Sequence, residues 1–249
     1  MDLQTTAGLI LLVIAFSLLV LLYVFTSPAR RRTWRVITPF RRLRRSIGLA
    51  VEQGTRAHIS LGSASITEPD SASALVGLAS LERISEISSV SDRPPLATSG
   101  HGTLALLSKD SMKAAYQKTN VPELIDPDSA ILAGPTPLSY IAGTIPLVHT
   151  ENISANILVG DFGPEVALLA QAAGRENQFL LAGSNSLPAQ AVMYASAQEP
   201  LIGEELFALP TYLEAGRIYE SSLLAQDMLR WILILALLAG SVLVFTGVL

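Results

Sequence analysis

The chain has 249 residues, of which 50% are hydrophobic and 15% are charged, and its mean hydropathy is +0.44. Ordinary soluble domains contain about 25% charged residues, so this composition argues against a wholly soluble protein and against a disordered chain. The formal net charge is −4 at pH 7, and the absence of cysteine excludes disulfide scaffolds, thiolate metal centres and cysteine nucleophiles.

The first predicted element is an uncharged apolar segment at residues 7–25. At about 1.5 Å per residue a helix of this length spans about 28 Å, close to the thickness of the hydrocarbon layer of a membrane. Residues 1–29 are therefore predicted to form an N-terminal transmembrane helix. A cleaved signal peptide is the alternative, but the arginines follow the apolar segment here, whereas signal peptides carry positive charge before it.

A basic juxtamembrane segment, residues 30–54, comes next. It contains eight of the 17 basic residues, and we predict that they face anionic lipid headgroups: Arg30, Arg31, Arg32, Arg35, Arg41, Arg42, Arg44 and Arg45. The positive-inside rule places this segment on the cytoplasmic side of a bacterial inner membrane, with both termini of the chain on the outer side. Nucleic acid is not expected as a partner, because residues 46–227 contain 20 acidic and 8 basic residues, a net charge of −12.

A cytoplasmic domain is predicted at residues 55–213. The basic segment before it is predicted to continue as a helix that ends at Gly54. The first half of the domain contains an extended stretch at 58–61, a helix that starts near Pro69, a weak strand at 96–98 and a helix at 103–118. The stripe of the second helix is formed by Leu75, Leu78, Leu81 and Ile84.

The second half of this domain repeats one pattern. Aliphatic runs at 130–133, 156–159 and 179–182 each end in glycine, and helices are predicted after them at 137–148, 164–173 and 187–197, the middle one stopping at Gly174. Strand and helix in alternation predict βαβ units. The fold class is therefore α/β: a Rossmann-like, mostly parallel sheet covered by helices, with one N-terminal and one C-terminal transmembrane helix.

The chain returns to helical patterns after the domain. Residues 201–213 predict a broken helical segment, 214–230 a helical connector, and 231–249 a second transmembrane helix, preceded by Arg230. Ala236 and Gly240 lie four residues apart, a spacing that lets two membrane helices approach closely.

Four loops that follow predicted strands form the candidate ligand site. Because the carboxyl ends of parallel strands meet at one edge, small polar and glycine residues there can bring backbone N–H groups to a ligand. The candidate ligand-binding residues are Ser99, Gly100, His101, Gly102, Thr136, Gly160, Asp161, Gly163, Ser184 and Asn185. The competing interpretation is that short turns need glycine and capping residues whether or not a ligand binds.

Motifs for specific chemistry are weak. Residues 100–105 fit the spacing G-x-G-x-x-A, with Glu123 further on, but the strand before them is weak and Glu123 precedes the next strand, so a dinucleotide site is disfavoured. The sequence has neither a P-loop nor a G-x-S-x-G elbow, and His149-Thr150-Glu151 lacks a second histidine for zinc. We predict no catalytic residue, metal or cofactor.

Three segments resemble a family of uncharacterised bacterial membrane proteins. They are GTRAHISLG at 54–62, ISANILVGDFGPEVALLAQAAGR at 153–175 and FLLAGS at 179–184. The resemblance implies terminal membrane spans that flank a soluble α/β domain. It implies no activity, because none is assigned to that family, and no functional residues can be transferred.

The expected function is that of a membrane-anchored structural or scaffolding subunit, homo-oligomeric or part of a larger membrane complex. The alternative is a membrane-tethered sensor that binds a small molecule or nucleotide through the glycine-bearing loops. An enzyme ranks third, because no nucleophile or base stands out.

Overall fold

The computed structural model describes residues 3–25, 34–67, 71–126 and 128–246. The chain divides into two compact units. One unit comprises Met1–Trp34 and Gly216–Leu249, and the other comprises Arg35–Ala215. We call them the helical unit and the α/β unit.

The helical unit contains two long helices that pack against each other, α1 (Leu3–Phe25) and α9 (Arg217–Phe245). Both are long enough and apolar enough to cross a membrane, and their large aliphatic side chains are mostly exposed. Arg217 joins the helices: its Nη2 donates to the carbonyl of Tyr23 at 2.8 Å, and its guanidinium carbon lies 5.0 Å from the centroid of the Tyr23 ring. The helix α9 alone covers most of the predicted connector and of the second apolar segment.

The α/β unit begins with an amphipathic helix, α2 (Thr38–Gln53). Its buried face consists of Phe40, Leu43, Ile47 and Ala50. It ends at Gly54, where a φ of 64° suits glycine, as the sequence indicates. The predicted domain boundary at residue 55 thus falls between two parts of one compact unit, which begins at Arg35.

The centre of this unit is a sheet in which every adjacent pair of strands is parallel. The strands are β1 (Arg56–Gly62), β2 (Leu96–Ser99), β3 (Ala130–Leu132), β4 (Ile153–Asp161), β5 (Phe179–Ser184) and β6 (Glu199–Leu201), in the order β3-β2-β1-β4-β5-β6. The register places Ile59 beside Ala97 on one side and Ile157 on the other. This confirms the predicted α/β class with a parallel sheet, and the order is that of doubly wound proteins.

Helices connect the strands and cover both faces of the sheet. They are α3 (Ser71–Ser88), α4 (Gly102–Lys118), α5 (Pro137–Thr150), α6 (Val166–Arg175), α7 (Leu187–Ser196) and α8 (Glu205–Tyr212), with a short 3-10 helix at Pro122–Leu124. Right-handed crossovers place α3 and α4 on one face and α5, α6 and α7 on the other. Consistent with this, α3 packs against α4, α8 and α2, while α6 packs against α5 and α7.

Continuous burial explains the aliphatic runs in the sequence. Every residue of β1 and β2 is buried, and so is most of β4. A core between the sheet and α5–α7 contains Leu158, Phe162, Leu169, Leu180 and Met193, among others. A strand that is covered on both faces can carry apolar residues in succession, as β4 does at Ile157, Leu158 and Val159.

Some boundaries differ from the prediction. The strand β6 was not predicted, and it shares only Leu201 with the segment predicted to be broken helix. The helix α6 ends at Arg175 rather than at Gly174. In the predicted stripe of α3, Leu78, Leu81 and Ile84 are buried, whereas Leu75 is half exposed and its neighbour Ala74 is buried instead.

Candidate functional site

The order of the strands reverses between β1 and β4. In doubly wound sheets, ligands bind beyond the carboxyl ends of the strands at this reversal. The loops that leave β1, β2, β3, β4 and β5 all start at this edge, which we call the carboxyl edge. They include the four predicted glycine-bearing loops, at 98–103, 134–136, 160–163 and 183–186.

The ends of β1 and β4 are held tightly together at the carboxyl edge. A Cβ atom on Gly62 would lie 2.1 Å from the carbonyl oxygen of Asp161, and one on Gly160 would lie 2.0 Å from that of Leu61. Beyond the strands, the backbone N–H of Ser63 donates to the carbonyl of Asp161 at 3.0 Å. The two glycines are thus required for backbone pairing between the central strands.

The starts of α4 and α5 are capped by their own side chains. His101 Nδ1 accepts from the backbone N–H of Thr103 at 3.3 Å. Thr136 and Ser139 form a reciprocal capping box at α5, in which Ser139 Oγ accepts from the Thr136 N–H at 2.9 Å. These backbone donors are the groups that an anionic ligand would use at a helix start.

The helices α6 and α7 have no side-chain cap, but side chains bind backbone N–H groups in the loops before them. Glu165 Oε1 accepts from the backbone N–H of Gly163 at 2.9 Å. Ser184 Oγ accepts from the N–H of Phe162 at 3.2 Å and from that of Ser186 at 3.3 Å. Polar residues of the candidate loops therefore bind the backbone of the protein itself, as the competing turn interpretation predicts.

The candidate residues lie along the carboxyl edge but differ in accessibility. Ser99, Gly100, Gly160 and Ser184 are buried, His101, Asp161, Gly163 and Asn185 are half-buried, and Gly102 and Thr136 are exposed. The structure brings Gly160 beside Ser184, and it brings Asn185 Oδ1 to within 3.4 Å of Ser73 Oγ on α3. Since β2 and β5 are three strand spacings apart, their loops are separated by about 14 Å, so the candidates form a row.

The segment with G-x-G-x-x-A spacing follows β2, the second strand of the fold. In dinucleotide-binding folds the corresponding glycines follow the first strand. Glu123 lies exposed in the 3-10 helix. The position of the segment after β2 thus disfavours a dinucleotide site, as the sequence analysis does.

A buried chain of polar side chains crosses the sheet, and the sequence analysis did not identify it. His58 on β1 is its centre: Nδ1 lies 2.8 Å from Asn156 Oδ1, and Nε2 lies 2.9 Å from Thr98 Oγ1. Thr98 Oγ1 is 3.1 Å from the hydroxyl of Tyr140, which also bonds to Ser60. At the other end, Asn156 Nδ2 donates to Gln178 Oε1, and Gln178 Nε2 donates to the carbonyl of Val148 at 3.1 Å.

Burial sets the protonation of this chain. It lowers the pKa of His58 to about 4, although the hydrogen bond that His58 donates to Asn156 Oδ1 acts in the opposite direction. Burial also raises the pKa of Tyr140, against the effect of its bonds to Ser60 and Thr98. Both side chains are therefore neutral at physiological pH. Neither is accessible to solvent, which favours a structural role over acid–base chemistry.

At the opposite edge, the buried guanidinium of Arg56 joins several elements. Its Nη1 donates to Glu151 Oε2 at 2.6 Å, Nε to the carbonyl of Pro94 at 2.9 Å, and Nη2 to Ser129 Oγ at 3.1 Å. Two cavities of about 240 Å³ lie near this edge, on either side of Asp126. Within the described residues, no group of three or more histidine, aspartate or glutamate side chains is placed to hold a metal ion.

The family model for a domain of unknown function, DUF6754, matches residues 2–249. The chain belongs to this family. The match covers both units and all the segments on which the resemblance was based, and the family description assigns no activity. No curated protein and no solved structure matches the chain.

Proposed function

We propose that this chain is a structural subunit, anchored in the bacterial inner membrane by α1 and α9, that self-associates through its α/β unit. The observation that carries the proposal is the capping at the carboxyl edge. At α4 and α5, and in the loops before α6 and α7, the chain's own side chains occupy donors that a phosphate or carboxylate would need. Because these backbone donors at the carboxyl edge are already bound by the protein itself, a structural role is favoured over anion binding.

Membrane anchoring is supported by the two apolar helices. The side chains of Leu12, Phe16 and Val24 on α1 are 66%, 65% and 67% exposed, and those of Leu235 and Leu237 on α9 are 61% and 66% exposed. Apolar area of this extent is unfavourable in water at roughly 25 cal/mol per Å². A lipid environment removes this cost.

The orientation rests on the arginines after α1. We place the α/β unit in the cytoplasm because positive charges stay on that side, where anionic headgroups attract them. Arg30, Arg31 and Arg32 lie outside the described residues. Arg35, Arg41 and Arg45 are exposed, whereas Arg42 pairs with Glu199 and Arg44 with Glu214. We assign the lipid contact to the arginines before α2 and to Arg41 and Arg45.

Self-association is tested by the mass of the purified particle. The full chain, extracted in a mild detergent, is measured by size exclusion with light scattering, which separates protein mass from detergent mass. The proposal predicts a protein mass of two or more times the 26.5 kDa of one chain. A protein mass of one chain at micromolar concentration contradicts it.

A ligand-binding sensor is the second candidate, and one observation favours it. Ser99 Oγ, at the carboxyl end of β2, is buried and has no hydrogen-bond partner within the described residues. Thermal melting of the full chain with ATP, NAD or inorganic phosphate separates the candidates. A subunit without a ligand shows no shift. A shift of several degrees that disappears in the double variant Asp161→Asn, Ser184→Ala supports the sensor.

A further inference from the structure

The helix α2 is amphipathic, but its apolar face is packed against the rest of the α/β unit. Phe40, Leu43 and Ile47 on that face are 2%, 0% and 0% exposed. An amphipathic helix on a membrane normally inserts its apolar face among the lipids. Because this face is already buried in protein, α2 can meet a membrane only through its opposite, polar side.

That polar side carries cations that the protein does not neutralise. Arg41 and Arg45 lie one helical turn apart and are exposed, and within the described residues neither forms an ion pair. We call these two residues the basic row. One turn further along the same side, Leu49 is 41% exposed, and Glu52 then ends the side. The cationic part of α2 is therefore its first half.

The other two arginines of α2 bind the α/β unit itself. Arg42 pairs with Glu199 on β6, and Arg44 Nη2 lies 2.9 Å from Glu214 Oε1. These ion pairs and the buried apolar face hold the helix in one orientation. The basic row is thus presented to the outside in a fixed direction.

The position of α2 in the chain favours a lipid surface as the partner of the basic row. Only residues 26–37 separate α1 from α2, and they contain four more arginines. At the other end, Glu214, which pairs with Arg44, precedes Arg217, the first residue of α9, by three positions. Short stretches of chain therefore join this region to both apolar helices, which gives the bilayer a high effective concentration at the basic row.

Charge complementarity identifies the class of lipid. The basic row precedes an acidic stretch, because residues 46–227 carry a net charge of −12. Anionic phospholipids of the cytoplasmic leaflet attract a nearby arginine and repel such an acidic surface. A second copy of the chain also offers acidic groups, but the chain does not hold it next to the basic row, whereas it holds the bilayer there.

We propose that α2 lies along the cytoplasmic leaflet and that Arg41 and Arg45 bind the phosphates of anionic phospholipids. This inference rests on the proposed function and names the lipid class and the mode of contact. The Cβ atoms of residues one turn apart are about 5–6 Å from each other, so the two guanidinium groups can bind one phosphate or those of two neighbouring lipids. Because no apolar face is inserted, the contact depends on lipid charge and weakens with salt.

A fluorescent probe on α2 tests the contact in the full chain, which has no cysteine of its own. Thr38→Cys places the probe at the exposed start of α2, and Val90→Cys, at a position that is 81% exposed, is the reference. Both proteins are reconstituted into phosphatidylcholine vesicles with or without about 30% phosphatidylglycerol, each with a trace of lipid that carries a quencher on its headgroup. Each arginine contributes about fivefold, so the ratio of quenched to unquenched Thr38→Cys probe should be about 25-fold higher in the anionic vesicles. In salt of about 1 M, where the screening length is about 3 Å, this difference should disappear.

Charge variants identify the residues that make the contact. Adding Arg41→Glu and Arg45→Glu to the probe variant should abolish the effect of phosphatidylglycerol, and Arg41→Gln with Arg45→Gln should leave an intermediate effect. The matched control is Lys109→Glu with Lys113→Glu on α4. These lysines are also exposed and one turn apart, so the control changes the net charge equally and should keep the full effect.

The outcomes separate this inference from the proposed function. Quenching that requires anionic lipid and both arginines supports it. Equal quenching in the two kinds of vesicle, or quenching that follows protein density, overturns it and leaves the anchored, self-associating subunit standing. Loss of quenching on adding inorganic phosphate at constant ionic strength overturns it in favour of a soluble phosphate ligand. Release of the full chain from vesicles by alkaline carbonate overturns both the inference and the membrane anchoring.

Discussion

Replacing His58 with glutamine should reduce the loss of stability that the α/β unit suffers in acid. Burial lowers the pKa of His58 from its usual 6.5 to about 4. Above about pH 6.5 the imidazole is neutral in both the folded and the unfolded chain, so its contribution to stability is fully present. As pH falls towards 4, the unfolded chain binds a proton that the folded chain excludes, and stability is lost.

The magnitude follows from the size of the pKa change. Each pKa unit corresponds to about 1.4 kcal/mol, so the whole titration is worth about 3 kcal/mol. Between about pH 7.5 and about pH 4.5, most of this, about 2–3 kcal/mol, is lost from the free energy of unfolding. Carboxylates titrate in the same range, so the effect of His58 is the difference between the wild-type chain and His58→Gln.

The assay is urea unfolding of the full chain in detergent at both pH values, followed by circular dichroism. The drop in unfolding free energy should be about 2–3 kcal/mol smaller for His58→Gln than for the wild-type chain. Tyr140→Phe is the matched control, because it removes a hydroxyl from the same buried chain without removing the imidazole. It should cost about 1–3 kcal/mol at both pH values. An equal pH dependence for His58→Gln and wild type would refute the burial argument.

Other positions test the edges of the sheet by urea unfolding at neutral pH. Gly160→Ala should lower the free energy of unfolding by about 1–3 kcal/mol, because its Cβ would lie 2.0 Å from a carbonyl oxygen. Gly174→Ala is the control: a Cβ there has open space around it, so this variant should be neutral or stabilising. Equal effects would contradict the close approach of β1 and β4. Arg56→Met should lose about 2–3 kcal/mol because it leaves the buried carbonyl of Pro94 and the buried hydroxyl of Ser129 without their donor. A loss below about 0.5 kcal/mol would show that these hydrogen bonds contribute little. Thr136→Ala should lose about 1 kcal/mol through the cap of α5, and no change would mean that water replaces it.

The aliphatic strands were predictable because burial on both faces leaves a continuous apolar run. Ile157, Leu158 and Val159 in β4 are such a run, and their position and the helix after them agree with the structure. The strand β6 was not predictable in this way, since Glu199 and Pro200 are atypical of strands. Its formation depends on β5 and on the ion pair with Arg42, which are tertiary contacts.

The basic segment shows how one pattern can serve two purposes. Its arginines predict a contact with lipid, and the spacing of Phe40, Leu43 and Ile47 predicts an amphipathic helix. The sequence does not say whether that apolar face meets lipid or protein. In the structure it is buried in the α/β unit, so the surface available to lipid is narrower than composition suggests.

The carboxyl edge could be located from the sequence, whereas its internal bonds could not. Glycine after each aliphatic run indicates strand ends, but the hydrogen bonds of Ser184 and Glu165 to loop backbone depend on side-chain geometry. The buried polar chain had a weaker signal. His58 and Asn156 are buried polar residues of two central strands, and pairing between β1 and β4 brings them together.

Labelling of single cysteines in living cells tests most directly whether the α/β unit lies on the cytoplasmic side of the membrane. Val90→Cys places a thiol at a position of the α/β unit that is 81% exposed, in a chain without other cysteines. We expect a membrane-impermeant maleimide to label this variant only after the cells are opened, and to label Asp2→Cys, before the first apolar segment, in intact cells. Labelling of Val90→Cys in intact cells would contradict the cytoplasmic placement of the subunit.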